Sequence, residues 1–274
     1  MSAPPVTTSK VDTVVFLIFF GALALAAIGA AVRIGWRRRD VAPVAVCLGA
    51  LVCALNEPIF DELGKIVYAH NATVAYTAFG REIPLFLVLG YVPWVAGLSW
   101  AIAELMARGC SRTRLHWIAL GSFVSVAAVE TAGTSLHSWT YYGTAPLKYL
   151  GVAPMMAPVP IVCGALIYTL GTRLRGAHRA WIALAPLFAL PAVYAAAGMP
   201  IYVALHSHTA KSVQYLAGVA TIAFCAAIVY AGTAVAEWWR AAELAADPIA
   251  PSRDTAPSFE PERVGVTALV KQAR

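Results

Sequence analysis

Apolar positions in this chain fall in long unbroken runs, with neither the single stripe of a soluble helix nor the alternation of a half-buried strand. At 1.5 Å of rise per residue, about twenty such residues cross the roughly 30 Å hydrocarbon layer of a bilayer. Seven runs meet that length, at about 14–32, 41–60, 83–106, 115–134, 151–172, 180–205 and 213–238. The pattern predicts an all-α polytopic bundle of about seven transmembrane helices over residues 13–239. It adds a short polar outer leader at 1–12 and a disordered cytoplasmic tail at 240–274, where Pro, Ala and charged residues crowd. The first run ends in Arg33, Arg37, Arg38 and Arg39, a stop-transfer flank that marks an uncleaved span.

Prolines interrupt this pattern at informative places. Pro58 disfavours α geometry at Glu57 and removes a backbone donor, so the second run is expected to kink or end there. Pro154, Pro158 and Pro160 argue against a regular helix in the first half of the fifth run. Pro186, Pro191 and Pro200 are expected to interrupt the sixth. Residues 61–82 read as a polar connection.

Composition agrees with a membrane setting: 60% of residues are hydrophobic and 12% charged, about half the charged share of a soluble domain. A net charge of +6 would suggest nucleic acid for a soluble protein. Here the basic residues cluster at the ends of runs, so they report orientation instead, and no nucleic-acid partner is expected. Alternate connections hold Arg33/37/38/39, Arg108/112/114, Arg173/175/179 and the tail from Arg240. Of the twenty Lys and Arg, only Lys10, Lys65, Arg81, Lys148 and Lys211 lie on the other side. The positive-inside rule puts the N-terminus outside and the C-terminus in the cytoplasm of a bacterial plasma membrane.

Candidate chemistry gathers at the outer ends of the spans. Glu57 and Asp61, four residues apart, share a helix face, and Glu130 follows an apolar stretch that begins at Ile118. A buried carboxylate is costly unless protonated or paired, so these acids are functional candidates with Arg81 as their expected counter-charge. The plainer alternative is a buried Glu–Arg pair that only fixes helix packing. Asn56, Arg81, Trp94, His137, Trp139, Tyr141 and Tyr142 complete a candidate binding layer, and interfacial anchoring is the competing role for its aromatics. Glu104 and Arg108 read as a snorkelling surface pair.

Other classes find little support. The seventh run holds no lysine for a retinal Schiff base, and Lys211 precedes it. The single acidic cluster lacks the repeated Asp motif of prenyltransferases. His206 and His208 stand without further ligand motifs, and no metal or other cofactor is expected. The five Cys lie in runs or on the basic side, which argues against disulfides. Asn71-Ala72-Thr73 matches the glycosylation sequon by chance.

The arrangement Asn56-Glu57-Pro58, Ala78-Phe79-Gly80-Arg81-Glu82-Ile83-Pro84, Glu130 and Trp139-Thr140-Tyr141-Tyr142-Gly143 resembles the spirocyclase AveC-like family of actinobacterial membrane proteins, over about residues 45–175. That resemblance implies cyclisation of a polyketide dihydroxyketone to a spiroketal, with possible dehydratase activity and no cofactor. The residues themselves admit either an acid–base enzyme on a lipophilic substrate or a non-catalytic carrier of a lipid or small molecule. Glu57, Asp61 and Glu130 are the catalytic candidates in the first case. Oligomeric state is not legible.

Overall fold

In the computed structural model, residues 5–143 and 153–246 are described. Seven helical segments are long and apolar enough to cross a membrane: Val14–Arg38, Ala42–Gly64, Leu85–Ala107, Arg112–Ser135, Ala153–Arg173, Gly176–His206 and Lys211–Ala245. The chain is an all-α, multi-pass membrane protein, as the apolar runs predict. The expected tail beyond residue 246 and the stretch 144–152 lie outside the described residues. The last helix continues past Arg240 to Ala246, beyond the expected domain edge.

Span one is helix α1 (Val14–Arg38) and span seven is α9 (Lys211–Ala246). Only 22% of the apolar window in each is buried, against 72% in span five, so α1 and α9 are peripheral and span five is central. Their exposed Ile18, Leu25, Leu216 and Val219 suit contact with lipid tails rather than water. Span five is α7 (Pro158–Arg173), which packs on α5 (Ser99–Ala107) of span three and on α8 (Leu184–His206) of span six.

Proline positions explain where helices change character. Span two runs as α2 (Ala42–Cys53), tightens to a 3-10 turn at Ala54–Asn56, and resumes as α3 (Glu57–Gly64). The break therefore falls one turn before Pro58, and Glu57 itself is α-helical (φ −53°, ψ −45°). Pro58 occupies the first turn of α3, where no intrahelical donor is required. Span five opens irregularly, as its prolines suggest, with a 3-10 turn at Ala153–Met156. The irregularity ends sooner than expected, because Pro158 and Pro160 fall in the first turn of α7, which is regular from Pro158 onward. In span six the 3-10 segment Gly176–Ala183 precedes α8, which continues through Pro191 and Pro200. Span three, from α4 (Leu85–Tyr91) to α5, contains a π-helical stretch at Val92–Leu98 that includes Pro93.

The connection 61–82 is not loop alone. After α3 ends at Lys65 in the left-handed region (φ 54°), strand β1 (Ile66–Tyr68) pairs antiparallel with β4 (Trp139–Tyr141). β2 (Val74–Ala78) pairs with β3 (Arg81–Pro84). The first pairing ties the end of span two to the end of span four, with Tyr68 opposite Trp139. The leader joins this layer: Lys10 N–H donates to Leu136 O (2.8 Å), His70 N–H to Thr7 O (3.1 Å), and Ser9 N–H to Asn71 Oδ1 (3.1 Å).

Candidate functional site

Beneath that layer lies a chamber lined by Glu57 from α3 and by Glu130 from α6 (Arg112–Ser135). Phe20, Phe86, Trp94, Tyr91 and Tyr194 contribute aromatic wall, and Tyr68, Trp139 and Tyr141 close it from the β1–β4 ribbon. Its volume is about 70 Å³. The space is therefore narrow, suited to a slender ligand or a few waters.

Each carboxylate is held by two side-chain donors. Tyr68 donates to Glu57 Oε1 (3.0 Å) and Tyr91 donates to Glu57 Oε2. Trp139 Nε1 (2.7 Å) and the Tyr141 hydroxyl (2.8 Å) both donate to Glu130 Oε2. No Lys, Arg or His is among the described lining residues. Hydrogen bonds from neutral groups thus stand where the sequence suggested an arginine. They offset part of the cost of burying a carboxylate without fixing it in an ion pair. Burial, followed by the charges of Asp61 and Glu57, pushes the Tyr68 hydroxyl well above the ordinary tyrosine range. Burial and the nearby Glu130 do the same for Tyr141, so both phenols remain neutral donors at physiological pH.

Trp139 reaches Glu130 because Gly133 gives it room. A Cβ at Gly133 would fall 2.0 Å from the indole ring. Phe16, Phe86 and Trp139 cluster with tilted and edge-on rings whose centroids lie 5.5–6.1 Å apart. Trp94, placed by the π-helical stretch, donates from Nε1 to Ser122 Oγ (3.2 Å), and that hydroxyl donates to Met156 O (2.6 Å).

The chamber gathers Glu57, Glu130, Trp94, Trp139 and Tyr141 from the sequence candidates and leaves out the others. Arg81 is turned away: from the start of β3 its guanidinium donates to Ile66 O (2.8 Å), to Glu62 and to the Tyr142 hydroxyl (2.6 Å). Its carboxylate partner is Glu62, which corrects the expected pairing with Glu57 and Glu130. Tyr142 accordingly serves Arg81 and does not line the chamber. Asn56 folds back through its 3-10 turn, and its amide donates to Cys53 O (2.9 Å). His137 is exposed in a left-handed turn (φ 57°), and its carbonyl accepts from Thr7. His206 contacts the carbonyls of Glu62 and Leu63. Glu104 lies 3.7 Å from Arg108, as expected, and also bonds Arg38. Asp61 is buried at 1% exposure in a separate, adjoining pocket.

Sequence reasoning missed Tyr68, Tyr91 and Tyr194 as wall residues. A signal existed for Tyr91, because a hydroxyl inside an apolar run must find a partner. Among the described residues no group of three or more His, Cys, Asp or Glu could hold a metal ion. No protein-family model, curated protein or solved structure matches this chain.

Proposed function

We propose that the chamber is the active site of a cofactor-free acid–base enzyme that closes a lipophilic, polyketide-like dihydroxyketone into a spiroketal with loss of water. The observation that carries this reading is the pair of carboxylates facing one narrow apolar space, each held by neutral donors. The resemblance to AveC-like spirocyclases around Glu57, Arg81, Glu130 and Trp139 points the same way.

The chemistry matches the groups. A protonated carboxyl gives its proton to the ketone oxygen while one substrate hydroxyl adds and yields its own proton to the second carboxylate, giving a hemiketal. Proton donation to the hemiketal oxygen releases water and leaves an oxocarbenium ion. The second hydroxyl then adds, and a carboxylate accepts its proton, so the acid and base are regenerated. Two acids in different settings supply both roles: Glu57 lies between two phenols, and Glu130 is held by an indole and a phenol. Tyr91, Trp94 and Trp139 line the space, where aromatic rings can stabilise the cationic intermediate. Dehydration without ring closure uses the same two proton transfers.

The test is turnover of synthetic dihydroxyketones by the purified protein and its Glu57→Gln and Glu130→Gln variants. Each near-isosteric change is expected to lower turnover about 10²- to 10⁴-fold, the usual share of a general acid or base, with the thermal unfolding profile retained. Full activity in either variant assigns that residue a packing role. Reversible binding of the ketones without turnover by the wild type favours a carrier.

A further inference from the structure

Next to the chamber lies a second pocket, open toward the non-basic face between the leader and the strands. It has a volume of about 290 Å³, and its walls include Thr7, Thr77, Gly80, Arg81 and Glu82. The chamber measures only about 70 Å³, so water has far more room here. Two residues make this pocket more than a surface hollow. Asp61 lines it at 1% exposure, with no hydrogen-bond donor in sound geometry to either carboxylate oxygen. Tyr68 lines both this pocket and the chamber.

An ionised, donor-less carboxylate at that depth is costly, whereas a protonated one needs only an acceptor. Tyr68 supplies it. Its hydroxyl hydrogen is committed to Glu57 Oε1 at 3.0 Å, and the same side chain lines the second pocket together with Asp61. The phenol oxygen therefore has lone pairs free to accept from Asp61. Arg81 on the pocket wall is already engaged by Glu62, Tyr142 and Ile66 O.

We infer that Asp61 and Tyr68 form a proton path that connects a water-filled vestibule on the non-basic face to Glu57 in the chamber. Asp61 holds a proton taken from vestibule water. When Glu57 is ionised before substrate enters, Tyr68 passes its hydroxyl proton to Glu57 and takes the proton of Asp61, so the path sets Glu57 in its acid form. Asp61 is left ionised and is recharged by water. No proton is gained or lost along the path, and the phenol ends as it began. Asp61 is then a positioning and relay group that never touches substrate. The path deepens the acid–base reading of the chamber and rests on it for its purpose, although its own test needs no turnover.

Infrared spectroscopy of the full chain in lipid vesicles reads protonated carboxyl groups directly through their C=O stretch. A band is expected that shifts to lower frequency in D₂O, is lost in Asp61→Asn, and survives in Asp61→Glu and in Glu57→Gln. Tyr68→Phe is expected to move it to higher frequency, because the acid loses its acceptor. This variant keeps the test decisive if Asp61→Asn fails to fold. A band untouched by Asp61→Asn, unmoved by Tyr68→Phe, or resistant to D₂O overturns the path. Such a result leaves the chamber's own test, the loss of turnover in Glu57→Gln and Glu130→Gln, standing separately.

Discussion

Phenols do much of the polar work around the acids, and their titration makes the arrangement measurable. The Tyr76 hydroxyl donates to Ala54 O (2.6 Å) at the 3-10 turn that leads into Glu57. Burial first, and the charges of Glu57 and Asp61 after it, push its pKa up to about 12. In the unfolded chain tyrosine ionises near about 10. Above that pH the unfolded state binds fewer protons than the folded one, so folding stability falls as pH rises. The stability tied to Tyr76 is complete below pH ~10 and is lost toward pH ~12, and Tyr68 and Tyr141 shift in the same direction. Thermal unfolding across this range should therefore show a steep alkaline decline. Tyr76→Phe should cost about 0.5–1.5 kcal/mol near neutral pH, the net value of a hydrogen bond, and should make the alkaline decline shallower. Parallel pH profiles for variant and wild type would show that Tyr76 contributes nothing to it.

At the level of elements, the chamber depends on how closely the β1–β4 ribbon approaches α6, and Gly133 sets that distance. A methyl group there would meet Trp139 Cζ2 and Cη2 at about 2 Å, so Gly133→Ala must displace the indole from Glu130. Overpacking of this kind costs about 1–3 kcal/mol, and a lost donor to Glu130 adds to it. The expected result is a lower unfolding temperature together with loss of turnover or ligand binding, while Gly121→Ala, with open space around its Cβ, stays near wild type. Equal behaviour of the two variants would place Trp139 away from α6. The long helices were legible because each apolar run is many turns long. The three-residue strands β1 and β4 were not, since so short a segment cannot display an alternating period. Proline read without its position misled for span five: Pro158 and Pro160 looked like interruptions but occupy a first turn, where proline fits.

At the scale of the whole molecule, seven crossings put the ends of spans two, four and six on one face, and that rule alone brought Glu57 and Glu130 to a common depth. It could not choose their partners. Arg81 was the available cation in the sequence, yet strand pairing directs it to Glu62, and phenols from elements invisible to periodicity take its place. The same crossings leave one face rich in arginine: Arg37, Arg39, Arg108, Arg114 and Arg175 cluster at the ends away from the strands. The positive-inside rule predicts that such a face stays in the cytoplasm. The leader, both β-ribbons, the vestibule and the chamber mouth would then lie at the outer surface. Reporter fusions decide this: a phosphatase that works only outside is expected to be active after Gly143 and inactive after Arg39 and Arg240. A cytoplasmic reporter at Gly143 would invert the protein, and the proton path at Asp61 would then draw on cytoplasmic water.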